Sequence, residues 1–269
     1  MQKVILFSPG GYIGGYLKEA ILKDKDILLY EITRGSDLGK YQEDFDVMVY
    51  SASVSYASAR KYVEDNVVTA LTMVDFCLER HVKRIIYLSS DSVYGQLHTD
   101  MVSKQTVMVN PDLYGTTKYL AEKIIMQSDI PYYILRLPGV VGRVWRNNFI
   151  SNLMLKIKRG EDITLYNMDR AFNNILYIDD LTRFVMLLCH CSGKKANEIF
   201  LLGNTESPKL EEIVLYMISL FSSKASVRNI EALENKYFTL NVTKAVEYGY
   251  SSQKVQTILD KLYQLQKEI

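Results

Sequence analysis

Tyr114 and Lys118 stand four residues apart in the segment Asp112-Leu113-Tyr114-Gly115-Thr116-Thr117-Lys118. Where that segment opens a helix, the two side chains share one face, about 6 Å apart along the axis. A free phenol has a pKa near ~10 and a free lysine near ~10.4. A neighbouring ammonium favours phenolate over phenol and moves the tyrosine toward the working range of a general base. Upstream, Ser89-Ser90-Asp91-Ser92-Val93-Tyr94-Gly95 follows the apolar run Ile85-Ile86-Tyr87-Leu88. In an open parallel sheet, ligands bind beyond the carboxyl ends of the strands. A hydroxyl at such an end can hold the same substrate oxygen that a tyrosine deprotonates.

A second constellation lies near the N-terminus. Ser8-Pro9-Gly10-Gly11-Tyr12-Ile13-Gly14-Gly15 joins a strand-like run to a helix-like one. Glycines there allow a tight turn, close approach of backbone to a pyrophosphate, and a helix N-terminus facing the phosphates. A ribose-reading residue is expected about 20 residues further on. Glu31 fits and would accept from a 2′-hydroxyl, whereas Arg34 would meet a 2′-phosphate. The sequence therefore leaves NAD and NADP both open.

The elements that must position these groups follow from periodicity. Strands are expected at 3–8, 27–32, 46–51, 84–89 and 131–137, and helices at 12–23, 56–80 and 113–128. A clipped strand fits around Asp37-Leu38. Near-continuous apolar strands between amphipathic stretches mark a parallel sheet covered on both faces. Beyond Pro138-Gly139 the texture changes. A helix at 149–159, a strand at 173–178, a helix from Asp180, a strand at 197–202, a helix at 209–222 and two helices after 242 are expected. The fold class is α/β, a Rossmann-like doubly wound parallel sheet with a smaller, mostly helical C-terminal substrate lobe. Residues 1–165 form the NAD(P)-binding domain, with 173–190 also packing on it, and 166–269 form the smaller lobe. The two are expected to share an interface, where ligand clefts often lie.

Composition narrows the function. Lys+Arg at 32 against Asp+Glu at 31 leaves a net charge of +1. That excludes a domain whose affinity for nucleic acid rests on overall positive charge. No apolar run approaches the ~18 residues of a membrane span, and the N-terminal residues lack a secretory pattern, so cytoplasm is expected. Cys77, Cys189 and Cys191, with His81, His98 and His190, offer neither a disulfide framework nor a metal set.

Together the segments resemble the extended short-chain dehydrogenase/reductase family, the nucleotide-sugar epimerases, dehydratases and reductases. Gly11-Tyr12-Ile13-Gly14 matches its cofactor loop, and Asn66 with Val82-Lys83-Arg84 and the run to Gly95 matches its middle. Asn110-Pro111 ahead of Tyr114 to Lys118, with Ala121-Glu122 after, matches its active-site helix. Leu135-Arg136-Leu137, Val141-Gly142, Asn148-Phe149-Ile150 and Tyr177-Ile178-Asp179-Asp180-Leu181 complete the likeness. The resemblance implies Tyr114 as catalytic acid or base and Lys118 as its partner and nicotinamide-ribose ligand. It implies Ser90 as the hydroxyl orienting the substrate oxygen, and Asp37-Leu38 as the adenine contact. It also implies a homodimer through the helices at 56–80 and 113–128.

Departures from the family pattern are informative too. The first glycine of the loop falls on Ser8, with Gly10, Gly11 and Gly14 retained. The 4,6-dehydratases carry an Asp-Glu pair after the hydroxyl residue. Here Asp91 is followed by Ser92, which argues against elimination of water. After Val141-Gly142 the chain reads Arg143-Val144-Trp145-Arg146-Asn147-Asn148. Two arginines around the one tryptophan can clamp a diphosphate and stack a base. Asp91, Ser92, Arg143, Arg146 and Asn148 are the expected substrate contacts. The expected activity is NAD(P)-dependent hydride transfer at C4 of a nucleotide sugar, by an epimerase or a 4-keto reductase. The rivals are a non-catalytic cofactor-binding protein and a reductase of small non-nucleotide carbonyl compounds.

Overall fold

The computed structural model describes residues 1–52, 58–97, 99–191, 196–232 and 239–268. By its internal contacts the chain divides into two compact units. One comprises residues 1–95, 108–136 and 182–200; the other comprises 96–107, 137–181 and 201–269.

The first unit is built on a parallel sheet of six strands. In chain order it begins with β1 (Gln2–Phe7), α1 (Tyr12–Lys23), β2 (Ile27–Ile32) and β3 (Val47–Tyr50). A helical stretch follows, α2 (Ala59–Tyr62), a π-helical turn (Val63–Val68) and α3 (Thr69–Glu79). Then come β4 (Ile85–Ser90), the short β5 (Met101–Val102) of the second unit, α4 (Leu113–Met126) and β6 (Tyr132–Leu137). The order across the sheet is β10-β6-β4-β3-β1-β2, with β10 at Glu198–Leu201. Strand order reverses at β1, between β2 and β3, which makes the carboxyl ends of β1 and β3 the switch point where such sheets bind ligands.

The strands form because their residues are apolar on both faces. Val4, Ile5, Leu6 and Phe7 of β1, all of β3, and all of β4 and β6 are buried. Helix covering on both sides makes alternation unnecessary. α4 starts where Asp112 accepts from the Gly115 amide at 2.7 Å, just after Pro111. Its first turn lies so close to the chain after β4 that a Cβ on Gly115 would meet the Ser92 carbonyl oxygen at 2.1 Å.

Two expected elements of the first unit differ. The segment around Asp37-Leu38 is no strand but a 3-10 turn, Leu38–Lys40, which Asp37 caps by accepting from the Gly39 amide. A capping carboxylate and flanking glycines favour a turn over a ladder. The helix expected over 56–80 begins outside the described residues, which resume at 58. It is interrupted by the π-helical turn, in which the Thr69 amide reaches the Glu64 carbonyl five residues back. Within that turn two sequence neighbours, Asp65 and Asn66, are both buried, at 8% and 2% exposure.

The second unit contains β7 (Val140–Val141), α5 (Phe149–Arg159), β8 (Ile163–Tyr166) and β9 (Leu176–Tyr177). α6 (Ile178–Cys189) starts in it and runs into the first unit. α7 (Leu210–Phe221), β11 (Val227–Ile230), β12 (Thr239–Leu240), α8 (Thr243–Glu247) and α9 (Val255–Glu268) complete it. Among the described residues its strands pair in twos, β11 with β8, β12 with β5 and β7 with β9. The strand expected at 173–178 shrinks to Leu176–Tyr177. Asn173, buried at 2%, instead uses its amide as a brace: it donates to the Asn204 and Leu240 carbonyls and accepts from the Leu240 amide. Among the described residues no helix is long and apolar enough to cross a membrane.

Candidate active site

The glycine loop leaves β1 with Ser8 at φ +71°, the left-handed region that glycine occupies at little cost. Gly14 shows why the loop needs glycine further on. A Cβ there would meet the Ser8 carbonyl oxygen at 2.1 Å. Ser51, at the end of β3, donates to the Phe7 carbonyl at 2.8 Å and ties the two strand ends together. α1 starts at Tyr12 after Gly11, with no side-chain cap and no acidic residue in its first turn. The positive end of its dipole is left for an anion. An unblocked helix end and a cradle that a Cβ would fill suit a dinucleotide's diphosphate, with Gly10, Gly11, Tyr12, Ile13 and Gly14 around it.

The ends of β2 and the turn after it carry the expected adenosine contacts. The Glu31 carboxylate accepts from Lys18 Nζ of α1 at 2.8 Å. Arg34 Nη1 stands 3.4 Å from Asp65 Oδ2. Asp37 is engaged in capping its own turn, and Leu38 packs partly buried against the core.

The residues expected to do chemistry lie on β4, the turn after it (Asp91–Tyr94) and α4. Lys118 is 1% exposed, and its Nζ donates to the Leu88 carbonyl at 2.6 Å and lies 4.2 Å above the Tyr87 ring. Burial pushes its pKa down to about 7, against the opposing pull of the Glu122 charge one turn on. Tyr114 is half-buried, its ring 6.1 Å from that of Tyr62. It is near enough to Tyr87 for its charge to raise the Tyr87 pKa. Ser90 Oγ lies 3.1 Å from Ser92 Oγ and 3.3 Å from Asp91 Oδ1, and accepts from the Ser92 amide. Loss of hydration raises the Asp91 carboxyl to about 6, against the Ser90 hydroxyl and backbone amides that hold it down.

Behind these groups lies a network without an assigned role in the sequence reading. Glu122, 0% exposed, accepts from Ser89 Oγ at 2.5 Å, Arg136 Nε at 3.0 Å and Arg136 Nη2 at 2.6 Å. Arg136 Nη1 donates to the Tyr94 hydroxyl at 2.8 Å. Asn66 adds a bond from Nδ2 to Thr117 Oγ1 at 3.1 Å. Two signals for this network were present in the sequence. Glu122 is four residues from Lys118 on the same helix face, and Arg136 interrupts an otherwise apolar strand.

Arg143, Arg146 and Asn148 belong to the second unit. Arg143 Nη2 pairs with Asp179 Oδ1 at 2.9 Å, and Asn148 caps α5 by accepting from the Ser151 amide. Among the described residues no group of three His, Cys, Asp or Glu side chains is placed to hold a metal ion, and His98 lies outside them.

Comparison with known proteins places these groups in a wider setting. The model of the NAD dependent epimerase/dehydratase family matches residues 10–203. An uncharacterized UDP-glucose epimerase of Bacillus subtilis is 22% identical, the match covering 84% of each chain. The UDP-glucuronic acid 4-epimerase of Bacillus cereus, solved in complex with NAD, is similar in structure at a TM-score of 0.84, with 19% identity over 99% of both chains. RMD from Pseudomonas aeruginosa, complexed with NADPH, matches at 0.80, with 14% identity over 100% of both. At such identities the structural likeness is one of fold.

Two outcomes follow from this geometry. Ser8→Gly relieves a left-handed serine and is expected to be neutral or stabilising by up to about 1 kcal/mol. Thermal melting and a dinucleotide titration check this, with cofactor affinity unchanged or tighter. The second concerns Lys118, whose folded pKa is about 7. Because the unfolded lysine holds its proton well above that, its burial cost is full below pH 7 and relieved as pH rises toward the ordinary lysine range. The melting temperature of Lys118→Met relative to the natural chain should therefore be more favourable at pH 6 than at pH 9. A difference independent of pH would show that Lys118 is not a buried cation.

Proposed function

The chain belongs to the NAD dependent epimerase/dehydratase family, and from that premise we propose that it transfers hydride at C4 of a nucleotide-activated sugar. The observation that carries this reading is Lys118, a fully buried ammonium one helical turn from Tyr114, with the Ser90 hydroxyl on the adjoining strand end. A nicotinamide cofactor, when bound, supplies the site for the hydride. Tyr114 takes the proton from the sugar hydroxyl as it becomes a carbonyl and returns it in the reverse direction. The Lys118 charge lowers the cost of the phenolate and holds the ribose of the nicotinamide. Ser90 holds the substrate oxygen, turning its hydroxyl away from Asp91 or Ser92 to do so.

Ser92 supports the case against a dehydratase. Elimination across C5–C6 needs a second acid or base beside Asp91, and Ser92 offers a hydroxyl, which lies 3.1 Å from Ser90 Oγ. An epimerase and a reductase use the residues alike. They differ in whether the dinucleotide stays bound. Arg143, Arg146 and Asn148 are proposed to meet the nucleotide diphosphate, Arg143 by exchanging Asp179 for phosphate oxygens. The proposed homodimer rests on exposed stripes at helical spacing: Val68, Leu71 and Leu78 at the π-turn and α3, and Leu113 and Leu120 on α4.

Tyr114→Phe should lower turnover by on the order of 10²–10⁴-fold while leaving dinucleotide affinity within a few-fold. Near-normal turnover would remove Tyr114 from the proton step. Mass analysis of small molecules released on denaturation separates the two versions, since retained NAD marks an epimerase and its absence, with consumption of added NADPH, a reductase. Light scattering should give twice the chain mass, and Leu71→Lys should return it to one chain. A natural chain that runs as a monomer at working concentration would refute the dimer.

A further inference from the structure

The cation that follows β2 is held by a carboxylate from another element. In folds of this kind the end of the second strand reads the adenosine ribose, and an arginine nearby is what accommodates a 2′-phosphate. Arg34 stands in that position, two residues beyond the end of β2. Its Nη1 lies 3.4 Å from Asp65 Oδ2, and Lys61 Nζ approaches the same oxygen at 3.0 Å. The Asp65 side chain is 11% exposed, against 39% for that of Arg34. The Asp65 oxygen makes no aligned hydrogen bond, so both contacts are charge on charge and Asp65 retains acceptor capacity. Lys18, the nearby cation on α1, is bonded to Glu31 at 2.8 Å. The end of β2 thus presents two carboxylates, and each has a cation engaged.

Asp65 lies in the π-helical turn next to Asn66, which bonds Thr117 of α4. One residue of the turn thus braces α4 while the other faces the end of β2.

We propose that Asp65 sets the cofactor preference of the site, engaging Arg34 and presenting a like charge to a 2′-phosphate, so that NAD is favoured over NADP. This rests on the nicotinamide-dinucleotide reading above and specifies which dinucleotide that site takes. A 2′-hydroxyl can donate to Glu31, whereas a 2′-phosphate must separate Arg34 from Asp65 and remain beside the carboxylate.

The test is a binding titration of the purified full chain with NADH and with NADPH, following nucleotide fluorescence. The natural chain should bind NADH tighter by about tenfold or more. Asp65→Asn should tighten NADPH by about tenfold and leave NADH within a few-fold. Adding Arg34→Ala to Asp65→Asn should abolish the gain. Arg34→Ala alone should leave NADPH affinity within a few-fold, because Asp65 already engages that guanidinium. A natural chain that prefers NADPH, or an Asp65→Asn variant of normal circular dichroism with an unchanged ratio, overturns the proposal. Where Asp65→Asn does not fold, Arg34→Ala decides, since a tenfold loss of NADPH affinity would mean that Arg34 reads the phosphate despite Asp65. If the natural chain binds neither dinucleotide, the cofactor reading fails first and this inference falls with it. If both bind with a ratio insensitive to Asp65, only this inference fails.

Discussion

One buried carboxylate holds the site together. Glu122 has no exposure, yet three side-chain donor contacts from Ser89 and Arg136 satisfy it, and Arg136 is in turn bonded to Tyr94. Those residues come from α4, β4, β6 and the turn after β4, so Glu122, with Arg136, fastens all four elements that carry or flank the candidate site residues. An isolated carboxylate at that depth would be costly, and removing one partner of a buried pair typically costs ~3–5 kcal/mol. The bidentate fork of Arg136 and the hydroxyl of Ser89 make the arrangement tolerable. They also fix the register of α4 on the sheet. Ser89 is held directly before Ser90, and Glu122 directly one turn after Lys118. Close approach at the other end of the helix, Gly115 against the Ser92 carbonyl, leaves the first turn of α4 little freedom to slide.

Much of this was legible in the sequence, for reasons that can be named. Strands covered on both faces announce themselves as apolar runs, so β1, β2, β3, β4 and β6 fall within a residue or so of their expected ends. The segment from Asp112 was expected to open a helix and does, and the structure shows Asp112 capping it. Less visible were features that depend on a partner distant in sequence. The π-helical turn leaves no mark in periodicity, because Val63, Val67 and Val68 maintain an apolar pattern through it. Asp65 and Arg34 are 31 positions apart (65 − 34), and neither residue type implies the other. The two-residue strands of the second unit are too short to show alternation, and β8 and β11 are only half-buried. Ser8 was recognisable as standing where the family's loop has glycine, but its left-handed φ is a fact of the fold.

Lys118 gives the strongest reason to read the first unit as a reactive site rather than a bare scaffold. Its neighbours on the buried face of α4, Ala121 and Ile125, show what packing alone would select. Glu122 does not require the lysine, since Arg136 already meets both carboxylate oxygens. Glu122 and Arg136 are matched to each other, so the Lys118 charge has no carboxylate of its own among these three side chains. Burial opposes that charge, as the fall of the Lys118 pKa to about 7 reflects. The Leu88 carbonyl and the Tyr87 ring stabilise the ammonium only as dipole and quadrupole. A buried positive charge is balanced when a negative charge develops next to it. On the proposed reading that charge is the phenolate of Tyr114, close enough to act on the same Tyr87 over which Lys118 sits. The ammonium is then a field held ready for the ionised state of the base, and its destabilising effect on the resting fold is the other side of its use.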